Sequence, residues 1–215
     1  LDWLAILGVH MGKISELVYK ILLFIHPIEI LKKLIKIALV SKEIFLHRIS
    51  YYPASVINFE NRFALYIGKK FGLTFCNGTS SIEAALFALG ITEGDEVLVP
   101  SCTFHASIDP IVNLGATPIF VDVQAGSFII SLEDLVAKIT KKTKCIITVH
   151  PFGYVANMEK ISKIAKENNL VLLEDVSHAH GAKFREKMAG VYGDISCFSL
   201  QGAKAVAAGE GGIAV

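Results

Sequence analysis

Residues 145–175 read CIITVHPFGYVANMEKISKIAKENNLVLLED, and this stretch decides the fold. Cys145–His150 and Leu170–Asp175 are short, near-continuous apolar runs, and Met158–Glu167 between them reads as a helix. Strand, helix, strand is the unit of a parallel sheet. Going outward toward the N-terminus, Pro118–Val123 (PIFVDV), Glu96–Pro100 (EVLVP) and Leu73–Cys76 read as further strands. Helices are expected at Thr79–Leu89, at Ser107–Leu114 and at Leu132–Ile139, the last capped by Ser131 with Asp134 at its third position as a weak capping box. Toward the C-terminus Ile195–Leu200 (ISCFSL) is one more strand. Strands apolar along their whole length need cover on both faces. The pattern therefore predicts an α/β fold of three layers around a mostly parallel sheet, over residues 53–215.

Residues 1–52 differ in character. Ile14, Leu17, Val18, Ile21, Leu22 and Ile25 fall at helical spacing, Pro27 interrupts, and Ile28, Leu31, Leu34, Ile35 and Leu39 resume it with Lys32, Lys33 and Lys36 between them. This reads as an appendage of two amphipathic helices. Lys20, Glu29 and the lysine cluster leave no uncharged run of the ~20 residues a membrane span requires. A basic helix lying on a membrane surface is one reading. A helical hairpin packed on a core or a partner is the preferred one. The chain opens at Leu1 and stops at Val215 inside an apolar run, so a fragment is expected.

With 53% hydrophobic and 19% charged residues among 215, the chain is not disordered, and a net charge of +1 supplies no electrostatic footprint for nucleic acid. Cys76, Cys102, Cys145 and Cys197 lie too far apart for a CxxC metal or redox motif. Three of them fall in strand-like runs, which predicts buried free thiols in a reducing cytoplasm. No secretory cleavage site follows the first apolar stretch.

In such sheets ligands bind beyond the carboxyl ends of the strands. Five clusters lie there: Asn77 to Ser80, Pro100 to His105, His150 to Gly153, Asp175 to His180 and Ser199 to Lys204. Asn77-Gly78-Thr79-Ser80-Ser81 joins a strand to a helix start. It is either an anion site of free amides and hydroxyls or an ordinary helix cap. Asp175 ends a strand, where a carboxylate could keep a cofactor's pyridine nitrogen protonated or form a cap or an ion pair. His178 and His180 are two apart, which is not the spacing of a helical metal pair, and no metal is expected. Lys204 is a lone cation among small and apolar residues. If buried, its pKa would fall toward the neutral amine that Schiff-base chemistry needs; a surface lysine is the plain alternative.

Seven stretches in order then carry a resemblance: FENRFALYIGKK, FCNGTSSIEAALFALGITEGDEVLVPSCTF, GATPIFVDV, TKCIITVHPFG, LVLLEDVSHAHGA, GDISCFSL and QGAKAVAAGEGG. Over roughly residues 56–215 the chain resembles the DegT/DnrJ/StrS family of sugar aminotransferases, which have the type I pyridoxal-phosphate (PLP) aminotransferase fold. The resemblance implies that Lys204 is the Schiff-base lysine and proton shuttle. It implies that Asp175 partners the pyridine nitrogen, that Gly78, Thr79, Ser80 and Ser199 hold the phosphate, that Phe104 stacks on the cofactor ring and that His178 lies beside its phenolic oxygen. A branch of the family with His in place of the lysine performs dehydration, and Lys204 places this chain with the other branch.

The function so implied is transfer of an amino group from glutamate or glutamine to a keto sugar, usually nucleotide-linked, by a cytoplasmic homodimer. The competing expectation is a truncated, non-catalytic or regulatory relative. A lyase or desulfurase of the same fold ranks lower, since no cysteine occupies a recognisable persulfide-carrying loop.

Overall fold

A computed structural model describes residues 54–215 together with Ile35; the expected helical pair of residues 1–52 lies outside the described residues. Chain contacts separate Leu1–Ala54 from Ser55–Val215, and the second unit holds the sheet. Its elements are α1 (Ala54–Ile67), β1 (Leu73–Phe75), α2 (Gly78–Ala88), β2 (Glu96–Pro100), α3 (Asp109–Asn113), β3 (Thr117–Val121), α4 (Leu132–Ala137) and β4 (Thr143–Val149). They continue with α5 (Met158–Glu167), β5 (Val171–Asp175), the short β6 (Lys183–Phe184) and β7 (Lys187–Met188), then β8 (Ile195–Ser199) and β9 (Gly212–Ala214).

Seven strands form one sheet in the order β1-β9-β8-β5-β4-β2-β3. Pairings from β3 through β8 are parallel, and β9 runs antiparallel to both its neighbours, β8 and β1. Successive strand residues face opposite sides. Val97, Val99, Cys145, Ile147, Leu173 and Cys197 pack with Ile82, Ala85 and Leu86 of α2 and Ile111 of α3. Leu98, Ile146 and Leu172 pack on the other face with Leu135 of α4 and Met158, Ile161 and Ala165 of α5. Phe63 and Ile67 of α1 join Val176, Phe198 and Ile213 in a third cluster. Cover on both faces is why the central strands read as continuous apolar runs, and each such Leu or Ile contributes about 1.5–3 kcal/mol by leaving water.

Local departures from the sequence reading have local causes. The helix expected at Ser107–Leu114 is a 3-10 turn at His105–Ser107 followed by α3, because Pro110 near its start has no N–H to continue a helix already running. Ser131 does cap α4, accepting from the Asp134 amide at 3.4 Å. The reciprocal half of the capping box is replaced: the Asp134 carboxylate instead accepts from the Asp122 amide at 2.6 Å and pairs with Lys138 at 2.7 Å. The β6–β7 hairpin, closed by Arg185 at φ 54° with Glu186, and strand β9 were not expected.

Candidate active site

Asp175 ends β5 on the face covered by α2 and α3. It is 5% exposed, and its carboxylate accepts from Ser107 Oγ at 2.6 Å and from the Ser177 amide at 3.0 Å. Ser107 in turn shares a 2.9 Å hydroxyl contact with Thr103. A desolvated carboxylate is thus oriented from two sides while it stays at a strand's carboxyl end.

On the neighbouring strand, Gly78 opens α2 against Ser199 at the end of β8. A Cβ on Gly78 would lie 2.9 Å from the Ser199 Cβ, so only glycine lets helix and strand meet there. Asn77, rather than the following Thr or Ser, caps the helix by accepting from the Ser80 amide at 2.8 Å. Thr79 and Ser80 lie partly exposed in the first turn. Ser80 Oγ is 3.3 Å from Cys76 Sγ.

Lys204 lines a cleft of about 340 Å³ together with Phe152, Ser177, His178, His180, Ala203 and Ala205. Gln201–Glu210 is an organised surface loop, held where the Leu200 amide donates to Gly211 O and the Ala208 amide to Leu200 O, each at 2.8 Å. Apart from Lys204, which is partly exposed, its residues are exposed, so the small and apolar neighbours of Lys204 do not bury it, in line with the surface lysine that composition alone favoured. Burial, then the charge of Lys204, pulls the His178 imidazole below its ordinary pKa against the opposing pull of Asp175. For His180 burial leads as well. A hydrogen bond to the Ser199 backbone opposes it, and the charges of Lys204 and His178 assist. Both rings therefore favour the neutral form. A larger cleft of about 500 Å³ is lined only by the loop Asp122–Phe128 and gathers no comparable set of groups.

Lys204 and His178 therefore share one cleft. Asp175 is near enough to act electrostatically on both histidines, and Ser199 touches Gly78 and His180. Of the expected residues Lys204 and His178 line it, while Gly78, Thr79, Ser80, Asp175, Ser199 and Phe104 do not; Phe104 is 65% exposed, its ring 4.1 Å from that of His105. Sequence reasoning placed His180 and Phe152 in the strand-end clusters without giving either a role, and it missed Ser107. It also missed Glu174 and its pairing with His150, both fully buried on the opposite face of the sheet and 3.2 Å apart. Of the four cysteines, all free, Cys145 and Cys197 are buried, but Cys76 is exposed and Cys102 partly so. Those two lie just beyond strand ends, where cover stops.

The profile of the DegT/DnrJ/EryC1/StrS aminotransferase family matches residues 48–215. The chain belongs to this family. Among its relatives, GDP-perosamine synthase of Escherichia coli O157:H7 is 46% identical over 157 residues, which are 73% of this chain and 43% of that protein. The structure of an aminotransferase from Psychrobacter cryohalolentis superposes with a TM-score of 0.80 at 37% identity, covering 84% of this chain and 46% of the other. A Streptococcus pneumoniae relative solved in its PLP form matches with a TM-score of 0.70 at 31% identity, covering 74% of this chain and 44% of that one. The chain spans under half the length of these relatives. Family membership brings the type I aminotransferase fold and PLP as the family's cofactor. The donor set here fits that group. It offers a lysine at a cleft, a buried carboxylate fixed through both oxygens, and a hydroxyl-bearing helix start packed against a serine.

Proposed function

We propose that this chain is the cofactor-binding part of an aminotransferase that moves an amino group from glutamate or glutamine to the keto carbon of a nucleotide-linked sugar. The observation that carries the reading is the placing of Lys204, His178 and His180 around one cleft, with Asp175 electrostatically coupled to both histidines. The relative named GDP-perosamine synthase supports a nucleotide-linked sugar as the acceptor class.

PLP, when bound, supplies the electron sink. Lys204 would hold it through Nζ and, once displaced by the donor amine, would take and return the substrate proton as a general base and acid. Asp175, fixed by Ser107 and the Ser177 amide, would keep the pyridine nitrogen protonated. The hydroxyls of Thr79, Ser80 and Ser199, with free amides at the start of α2, would hold the phosphate, and Gly78 lets them converge. A neutral His178 would face the phenolic oxygen, and Phe104 would close over the ring. The reading extends to a cytoplasmic homodimer. Leu65, Phe71 and Leu73 are exposed and β1 is an end strand of the sheet among the described residues, which supports the dimer; among the described residues no helix is long and apolar enough to cross a membrane.

The test is spectroscopic. PLP added to the protein should give an absorption band at the edge of the visible that borohydride traps. In Lys204→Ala the band should be lost. A borohydride-insensitive band, or one that survives in Lys204→Ala, would refute the assignment and favour a relative without turnover.

A further inference from the structure

Phe152 is the middle residue of the 3-10 turn Pro151–Gly153 and has φ 54° and ψ 20°. That left-handed backbone disfavours any residue with a Cβ, and a ring 69% exposed recovers little by burial. A residue both strained and exposed does little for the fold, and such strain gathers at sites where geometry is used. The ring has two aromatic neighbours. It lies 5.7 Å from the His178 imidazole at an interplanar angle of 35°, and it meets Phe128 edge-on at 5.5 Å.

The turn itself is anchored. His150, which leads into it, donates its amide to Asp175 O at 3.3 Å and bonds Glu174 through Nε2 at 3.2 Å. Gly153 follows at φ 86°, and a Cβ there would touch the carbonyl oxygen of His178 at 3.9 Å. The turn thus rides on the carboxyl end of β5, beside the segment that carries His178. Phe152 and His178 line the same cleft as Lys204.

We propose that Phe152 is a positioning residue for His178, its strained turn holding the phenyl ring against the imidazole so that the imidazole stays in the cleft wall beside Lys204. What His178 then does for a cofactor rests on the function proposed above; the contact between the two rings does not.

The test uses the full chain and three variants. Phe152→Gly and Phe152→Asn both accept the left-handed backbone without a ring, and Phe152→Tyr keeps the ring. Imidazole proton resonances of His178, assigned through His178→Gln, are recorded without cofactor alongside the thermal midpoint. Gly and Asn should hold or raise the midpoint while the His178 signals lose their ring-current shift, and Tyr should restore it. With PLP added, the Lys204-dependent band should move or weaken in the Gly and Asn variants and return in Tyr. A midpoint that falls in both Gly and Asn would make Phe152 a structural residue, and unchanged His178 signals would mean that its ring positions nothing; either overturns the proposal. If the unmodified chain shows no Lys204-dependent band, the aminotransferase reading fails, while the resonances still decide whether Phe152 holds His178.

Discussion

Glu174 has no solvent exposure, yet its carboxylate is fully engaged. It takes the Gly190 amide at 2.9 Å, the Gly193 amide at 2.5 Å and His150 Nε2 at 3.2 Å, with Ser196 Oγ at 3.5 Å. Burial pushes its pKa up. The hydrogen bond and charge of His150, with the two glycine amides, outweigh this and hold it below the usual carboxylate range. His150 Nδ1 is buried with no partner, and Nε2 faces the carboxylate. A carboxylate whose folded pKa is depressed adds stability that is present above its unfolded value and is lost as pH falls through the folded one. Glu174→Gln should therefore flatten the acid limb of a pH–stability curve below about pH 4.3. Removing one partner of a buried pair costs about 3–5 kcal/mol, so Glu174→Ala should lower urea stability by that order. Nothing local announces this residue. In LVLLED it reads as one more strand position, because its side-chain and amide partners lie sixteen or more positions away.

At the scale of elements, the start of α2 joins fold to site. Asn77→Ala removes the acceptor of the Ser80 amide and should cost about 1 kcal/mol in thermal or urea unfolding. Gly78→Ala should act differently. A methyl 2.9 Å from the Ser199 Cβ must push α2 away from β8. PLP affinity, measured by fluorescence titration, should then fall by about tenfold or more even where the protein still folds. Elements were legible where the signal was long and one-sided. Met158–Glu167 has the bounds expected of it, and β2, β4 and β5 fall within a residue or two of their apolar runs. The hairpin β6–β7 was not legible because Lys183–Phe184 and Lys187–Met188 are two residues each and the turn is Arg-Glu rather than Asn-Gly. Gly212–Ala214 is too short to alternate, and its place is set by pairing with β8 and with β1, the latter far away in sequence. The same reason hid Ser107: that its hydroxyl reaches Asp175 depends on a turn that only the folded sheet brings close.

Over the whole molecule the thiols report on global opening. Cys145 and Cys197 are fully buried in one cluster with α2 and α3. Burial pushes the Cys145 thiol up to about 12 and raises that of Cys197 as well, so neither supplies a reactive thiolate in the folded state. A thiol reagent should modify Cys76 and Cys102 rapidly and the other two only at the rate of unfolding; fast labelling of all four under native conditions would contradict the packing described. The reversed strand β9 has a further consequence, in the order of synthesis. Leu73 pairs with Ala214, so β1 reaches the sheet only through a strand made about 140 residues later. At about 5–20 residues per second on the ribosome, β1 must wait on the order of ten seconds for its partner. During that interval β1 itself, an extended segment without its strand partner, is what a chaperone, or another nascent chain, would meet.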